Sequence, residues 1–369
     1  PAGGDPALWR DIGLFPFATE QPQRVFIIGP GGGLDFWFGL QSNAAEILGV
    51  EVNPGAVRLV RRYGAYNGDL YGRPDVDGGV DVVVDEGRSV LARTRDAYDL
   101  IFLSHVVTLA AERSGLALVE NSAFTQEAFA AYLDHLTADG TLAVKLYDEP
   151  TLTRALATAL AVLNQRGLAD DAALAQVIVL LDTRPEEPIP LLMVRATPYS
   201  RDDVLSIGAV AREVGFTPLF LPGVLAQPPL DQVAAGEKTL AAVIAESQED
   251  LTPVTDDRPF FYQFEVGLPR ELRNLLGALV LLGLVGGVGV AWAVGRIADA
   301  SGLRLSPLYF AALGAGFILV EVALIQQTRL FLGHPAVTAA TVLGVLLLGG
   351  SAGSLLFSRR QENGAMSRL

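Results

Sequence analysis

The sequence predicts an α/β chain, with a doubly wound parallel sheet followed by transmembrane α-helices. Three observations predict it. Apolar runs of strand length alternate with helical stretches through the N-terminal half. The first run stops at a glycine-rich turn, and the second ends on a carboxylate. Near the C-terminus, three long apolar segments follow one another.

The strands are expected at residues 25–28, 45–50, 80–84, 100–103 and 141–145, with two more at 176–181 and 190–195. Helical stretches such as 54–63 and 125–136 lie between them. The strand runs are near-continuously apolar, as expected of strands covered on both faces in a parallel sheet. Residues 201–250 read mainly as helix and loop, with Pro222, Pro228 and Pro229 as breakers.

The character then changes. Residues 275–294 form an uninterrupted apolar run without a charge. A second run at 308–325 is broken only by Glu321, and a third covers 336–357. Each is long enough to cross about 30 Å of hydrocarbon. A buried helical core in a soluble domain is the alternative, and core helices are rarely so long and uniform. Arg296, Arg304 and Arg329 flank the runs on both sides, so the charge rule sets no orientation. Gly283 and Gly287, like Gly349 and Gly353, have a spacing that permits close helix packing. Glu321 is costly in lipid and should face protein or a wet cavity. It reads as an interhelical polar lock, with a transport or substrate site as the alternative. The expected organisation is thus a nucleotide-binding α/β domain at 1–200, a helix and loop extension at 201–268, and a membrane domain at 269–369.

Composition narrows the function. Half of the 369 residues are hydrophobic and only 18% are charged, with a mean hydropathy of +0.37. That is too apolar for an ordinary soluble protein. The net charge of −14 argues against nucleic acid, whose phosphates need a basic footprint. It is compatible with a cationic substrate. Cysteine is absent, which removes disulfides and thiolate chemistry. His105, His135 and His334 are scattered, which argues against a histidine-based metal site, so no metal is expected. The chain begins at Pro1 without Met or a signal peptide and reads as a piece of a longer protein.

The chemistry concentrates in RVFIIGPGGGLD at 24–35 and in Glu51 within VEVNP. This is the sequence form of a nucleotide-binding βαβ unit. Gly29, Gly31, Gly32 and Gly33 let the backbone turn tightly and approach a ligand. Glu51, closing the second strand, is placed to accept hydrogen bonds from ribose hydroxyls. The glycine spacing departs from a dinucleotide cradle, and Asp35 follows at once. A carboxylate there repels phosphate but suits the sulfonium and amino group of S-adenosylmethionine. A nicotinamide-dependent oxidoreductase is the weaker alternative, and a glycine-rich turn without a ligand is the other.

Taken together, these residues resemble spermidine synthases (polyamine aminopropyltransferases), in particular membrane-attached bacterial relatives. The resemblance covers about residues 20–150, and TPVTDDRPFFY at 252–262 resembles the membrane-attached group. It implies a class I S-adenosylmethionine-dependent transferase-like Rossmann fold. The motif DEGRSVL at 85–91 resembles the family's acidic-Gly-Arg turn. By that resemblance Asp85 and Glu86 belong to the cofactor site, Glu86 contacts adenine, and Gly87 permits the approach. AFTQEAF at 123–129 resembles a family segment in which Phe124 replaces a tyrosine.

One departure bears on the reaction. The resemblance places a carboxylate just after YDLIFLS, where it would deprotonate the attacking amine. This chain has Ser104 and then His105. Serine is a poor base at neutral pH; the imidazole of His105 titrates near neutrality. These two are the candidate catalytic residues. Lys145 is expected to face the same crevice, paired with Asp148 or Glu149 or facing an anionic substrate. Asp99 is expected to cap its strand or to sit at the sheet's far edge, and Thr255, Asp256, Asp257 and Arg258 to form a turn lock ahead of the first span, with a gate at the membrane surface as the alternative.

Two functions follow. The first is a membrane-anchored transferase that moves an aminopropyl or methyl group to an amine-type acceptor, with a polyamine as one such acceptor. It would use S-adenosylmethionine or its decarboxylated form. The second is a catalytically degenerate nucleotide-binding domain that regulates a membrane or transport partner. Either places the chain on the lipid bilayer of a bacterial inner membrane, with the nucleotide domain facing the cytoplasm, and either admits a homodimer.

Overall fold

The computed structural model describes residues 11–72, 79–104, 120–268, 270–295, 306–332 and 335–366. The chain divides into two units, Pro1–Pro269 and Arg270–Leu369.

In the first unit, α1 (Leu14–Glu20) precedes β1 (Arg24–Ile28), α2 (Leu34–Gln41) and β2 (Glu46–Val50). Then come α3 (Pro54–Arg62), α4 (Gly64–Asn67), β3 (Gly79–Val83), α5 (Gly87–Leu91) and β4 (Tyr98–Ser104). After a 3-10 turn at Ser122–Phe124 follow α6 (Gln126–Asp134), β5 (Leu136–Lys145), α7 (Glu149–Gln165) and α8 (Asp170–Leu174). The unit closes with β6 (Val177–Asp182), β7 (Ile189–Arg195), α9 (Arg201–Glu213), β8 (Thr217–Leu221), β9 (Leu225–Ala226), α10 (Leu230–Ala234) and α11 (Leu240–Ala245).

Nine strands form one sheet in the order β3-β2-β1-β4-β5-β7-β6-β8-β9. β1 to β5 are parallel to one another. β7 runs antiparallel to both β5 and β6. The expected doubly wound sheet is therefore present with an antiparallel extension. An apolar run reads the same in either direction, so the sense of β7 was invisible in it. β8 lies in the stretch read as helix and loop. Its Pro218, which argues against a strand, sits where the register of β6 and β8 shifts.

Alternation along each strand sends side chains to opposite faces. Phe26 and Ile28 of β1, with Ile101 and Leu103 of β4, enter one core. Val25, Ile27, Leu100 and Phe102 enter the other. Both faces are covered, which explains why these strands are apolar throughout. Contact with the sheet is close at Gly49, where a Cβ would stand 2.5 Å from the Phe36 ring of α2.

β1 pairs with β2 on one side and β4 on the other. The chain leaves β1 toward β2 and β3, then returns to β4. That reversal opens a crevice outside the carboxyl ends of β1 and β4, where ligands of such sheets bind.

The second unit holds α12 (Arg270–Gly295), α13 (Ser306–Leu332) and α14 (Pro335–Met366). Each contains a stretch long and apolar enough to cross a membrane: Leu272–Gly289, Tyr309–Thr328 and Val337–Leu355. Glu321 lies within the second and is half-buried.

Candidate functional site

The glycine loop links β1 to α2 at the crevice. Gly29, Gly31 and Gly33 have φ of +71°, +52° and +93°, a region that side chains rarely adopt. Gly32 does not share this requirement. At Gly33 a Cβ would also press on Leu70 at 3.2 Å. The loop is pinned where it leaves β1, because the Gly29 N–H donates to the Val50 carbonyl at 2.9 Å.

Glu51 follows β2 and is 6% exposed. Its Oε2 accepts from the Gly31 N–H at 3.0 Å, and its Oε1 from the Asn53 N–H at 2.8 Å. The carboxylate thus fixes the loop to the start of α3. Each of its oxygens keeps a further lone pair for another donor. Tyr71 braces the loop from α4's side: its hydroxyl donates to the Gly31 carbonyl at 2.8 Å, and its ring packs on Phe36. Burial drives the Tyr71 phenol well above its usual range.

Asp35 opens α2 and is buried. It has no ion pair or hydrogen bond among the described residues. Burial raises its pKa from 3.8 to about 8; the Lys145 cation opposes the rise and the Asp11 carboxylate adds to it. A buried carboxyl without a donor is costly, and a cationic ligand would supply what it lacks.

The turn after β3 stands next to Glu51. The Glu51 N–H donates to the Val83 carbonyl at 3.0 Å, and the Asp85 N–H to the Glu51 carbonyl at 3.2 Å. Asp85 accepts from the Glu86 N–H at 2.8 Å and pairs with Arg93. Glu86 caps α5, accepting from the Arg88 and Ser89 N–H groups at 3.2 and 2.8 Å and from the Ser89 hydroxyl at 3.0 Å. Its side chain shapes the turn. Gly87 allows α5 to settle on β1, since a Cβ there would meet Ile28 at 3.1 Å.

Ser104 ends β4 and stands in register with Lys145 at the end of β5. His105 lies outside the described residues. Lys145 pairs with neither Asp148 nor Glu149. Its Nζ donates to both oxygens of Asp11, at 2.7 and 2.8 Å. Asp148 caps α7 instead, in a capping box with Thr151. Asp99 sits at the opposite end of the sheet, accepting from the Gln23 and Arg24 N–H groups and the Thr137 hydroxyl.

The structure therefore gathers the glycine loop, Asp35, Glu51 and the Asp85–Gly87 turn at neighbouring strand ends. Sequence reasoning missed Asp11 and Tyr71. Tyr71 lies in a short stretch, NGDLYG, that matches no recognisable pattern, and Asp11 precedes the first strand. Asp256 was read as part of a local turn. It does sit in one, with Thr255 bridging to Arg258, but its carboxylate reaches Arg88 at 2.6 and 2.9 Å and accepts from the Thr125 hydroxyl at 2.7 Å. Phe124 is buried and stacks on Phe261, with ring centres 4.2 Å apart.

No known family profile matches the chain, and no curated protein matches it. Solved structures do. The spermidine synthase of Thermotoga maritima is 15% identical, covering 72% of each chain, with a TM-score of 0.37. A probable spermidine synthase from Corynebacterium glutamicum is 16% identical, covering 61% of this chain and 81% of its own, with a TM-score of 0.41. Human methyltransferase-like protein 13, solved with SAH, is 13% identical, covering 57% of this chain and 88% of its own, with a TM-score of 0.37. At such low scores the likeness assigns neither an activity nor site residues to this chain, whose α/β fold stands on its own strand order.

Proposed function

We propose that this chain is a membrane-attached transferase that binds S-adenosylmethionine or its decarboxylated form and alkylates an amine-type acceptor. The observation that carries the reading is the pairing of Glu51 with the glycine loop, beside a buried Asp35 carboxyl that lacks a donor. When bound, the cofactor supplies a carbon activated by a sulfonium. Gly29, Gly31, Gly32 and Gly33 bring their backbone close to its methionine-derived part. Asp35 meets its positive charge, and Glu51 accepts from the ribose hydroxyls through its remaining lone pairs. The Asp85–Gly87 turn borders adenine, with Glu86 meeting it through its backbone or through the lone pair that its cap of α5 leaves on Oε1. The protein's part in the transfer is chiefly to hold the acceptor in line with the activated carbon.

Ser104, at the end of β4, is the described candidate for the acceptor's side of the crevice, and His105 follows it in the sequence. Ser104 has no charge to hold an ammonium, and the neighbouring Lys145 is already neutralised by Asp11. That observation favours a second reading, in which the domain binds the nucleotide without turnover and regulates a membrane partner. The three apolar helices support membrane attachment under either reading.

Product analysis separates the possibilities. Purified protein is incubated with either cofactor and a panel of polyamines and simple amines. Methylthioadenosine formed from the decarboxylated cofactor indicates aminopropyl transfer, and S-adenosylhomocysteine indicates methyl transfer. Cofactor binding with neither product indicates the regulatory reading.

A further inference from the structure

A cavity of about 620 Å³ opens in the α/β unit, and no glycine-loop residue, Glu51 or Glu86 lines it. Its volume lies in the range of small-molecule sites. Its inner lining is apolar, with the buried Leu156 of α7 and Val179 of β6 and the half-buried β8 residue Leu219 among its walls. Its exposed lining carries four carboxylates, Asp148, Glu149, Glu186 and Glu187, beside Pro188, Gln227, Pro228 and Pro229. No Lys, Arg or His lines it. Glu149, Glu186 and Glu187 enter no ion pair among the described residues. Arg184, close by in the chain, is held by Asp182 at 2.7 Å.

We infer that this cavity binds an organic amine, with its ammonium at the carboxylates and its hydrocarbon or aromatic body against the leucines. Carboxylates around a mouth with low-dielectric walls raise the local concentration of cations. Tyr147, which also lines the cavity, packs edge-to-face with Tyr262. An anion of the same shape would meet only repulsion. The inference does not rest on the transferase reading, since none of the proposed cofactor residues takes part.

The test is calorimetry on the full chain in zwitterionic nanodiscs, with empty nanodiscs subtracted. The probes are phenethylamine, 1,6-hexanediamine and, as the anionic match, phenylacetate. At least one amine is expected to bind and phenylacetate is not. The Glu186→Gln/Glu187→Gln double variant, altered only at exposed positions, should weaken the amine about 3- to 10-fold. Added salt should weaken it too. Leu156→Trp, which fills the cavity, should abolish binding. If Leu156→Trp fails to fold, the exposed double variant carries the test. Absence of binding by both amines at millimolar concentration overturns the inference. So does equal binding of phenylacetate, or amine affinity untouched by the double variant.

Discussion

Asp35 is where burial and charge meet most sharply. The native state keeps a proton on this carboxyl up to a pH of about 8, whereas the unfolded chain loses it near 3.8. Native protein therefore binds more protons than unfolded protein between those values. Stability attributable to Asp35 falls as the pH rises through that window and levels off above it. Asp35→Asn removes the slope. Its melting temperature should exceed that of the wild type at pH 8, by an amount equivalent to about 2–5 kcal/mol. The gap should close toward pH 4. A constant gap across the range would show that the carboxyl is not the buried acid described here. Under the proposed function, the same residue would link cofactor binding to protons. A cation at Asp35 requires the carboxylate, so binding at pH 7 should release about one proton. Titrations in buffers of different ionisation enthalpy measure that release, and Asp35→Asn should abolish it.

At the scale of elements, the segment after α11 is locked to the site by Arg88 of α5. Arg88 and Asp256 form a bidentate pair with side chains 15% and 26% exposed. Arg88 also reaches the Thr125 hydroxyl at 3.3 Å, and the Asp256 N–H donates to Glu127 at 3.0 Å. Removing one partner leaves the other poorly satisfied. Arg88→Ala should therefore cost about 2–3 kcal/mol in chemical unfolding. Arg88→Lys should recover less than half, since an ammonium cannot reproduce the fork. A loss within about 0.5 kcal/mol would mark the pair as incidental. This lock also shows what the sequence could and could not disclose. DEGR and TDDRP were each visible as motifs, yet their union spans 168 positions. The Lys145–Asp11 pair spans 134. Local patterns, by contrast, were legible. The apolar runs at β1, β2, β4 and β5 announced covered strands. The glycines after β1 announced positive φ, and Glu51 announced a carboxylate beside them. β8 escaped because it is a short strand in a proline-punctuated stretch, ending one residue before the breaker Pro222. The Glu86 side chain caps the N-terminus of α5, a choice that depends on the first turn of that helix and that its motif alone did not disclose.

At the scale of the molecule, two units of different character share one chain. The α/β unit buries two apolar layers against its sheet. The helical unit presents leucines such as Leu281 and Leu348 outward, 62% and 73% exposed. Exposed apolar surface on that scale calls for an apolar solvent or partner, in keeping with the membrane attachment proposed above. Glu321 is half-buried on α13, a placement shared by an interhelical polar lock and by a transport or substrate site. For the other unit, we propose that the crevice holds a sulfonium nucleoside through the glycine loop, Asp35 and Glu51. The most direct measurement is calorimetric binding of S-adenosylmethionine, its decarboxylated form and methylthioadenosine to the full chain, with Glu51→Ala alongside. The account predicts that one of the sulfonium forms binds more tightly than uncharged methylthioadenosine, and that Glu51→Ala weakens it about 10- to 100-fold. Absence of binding by all three, or binding indifferent to Glu51→Ala, would contradict it.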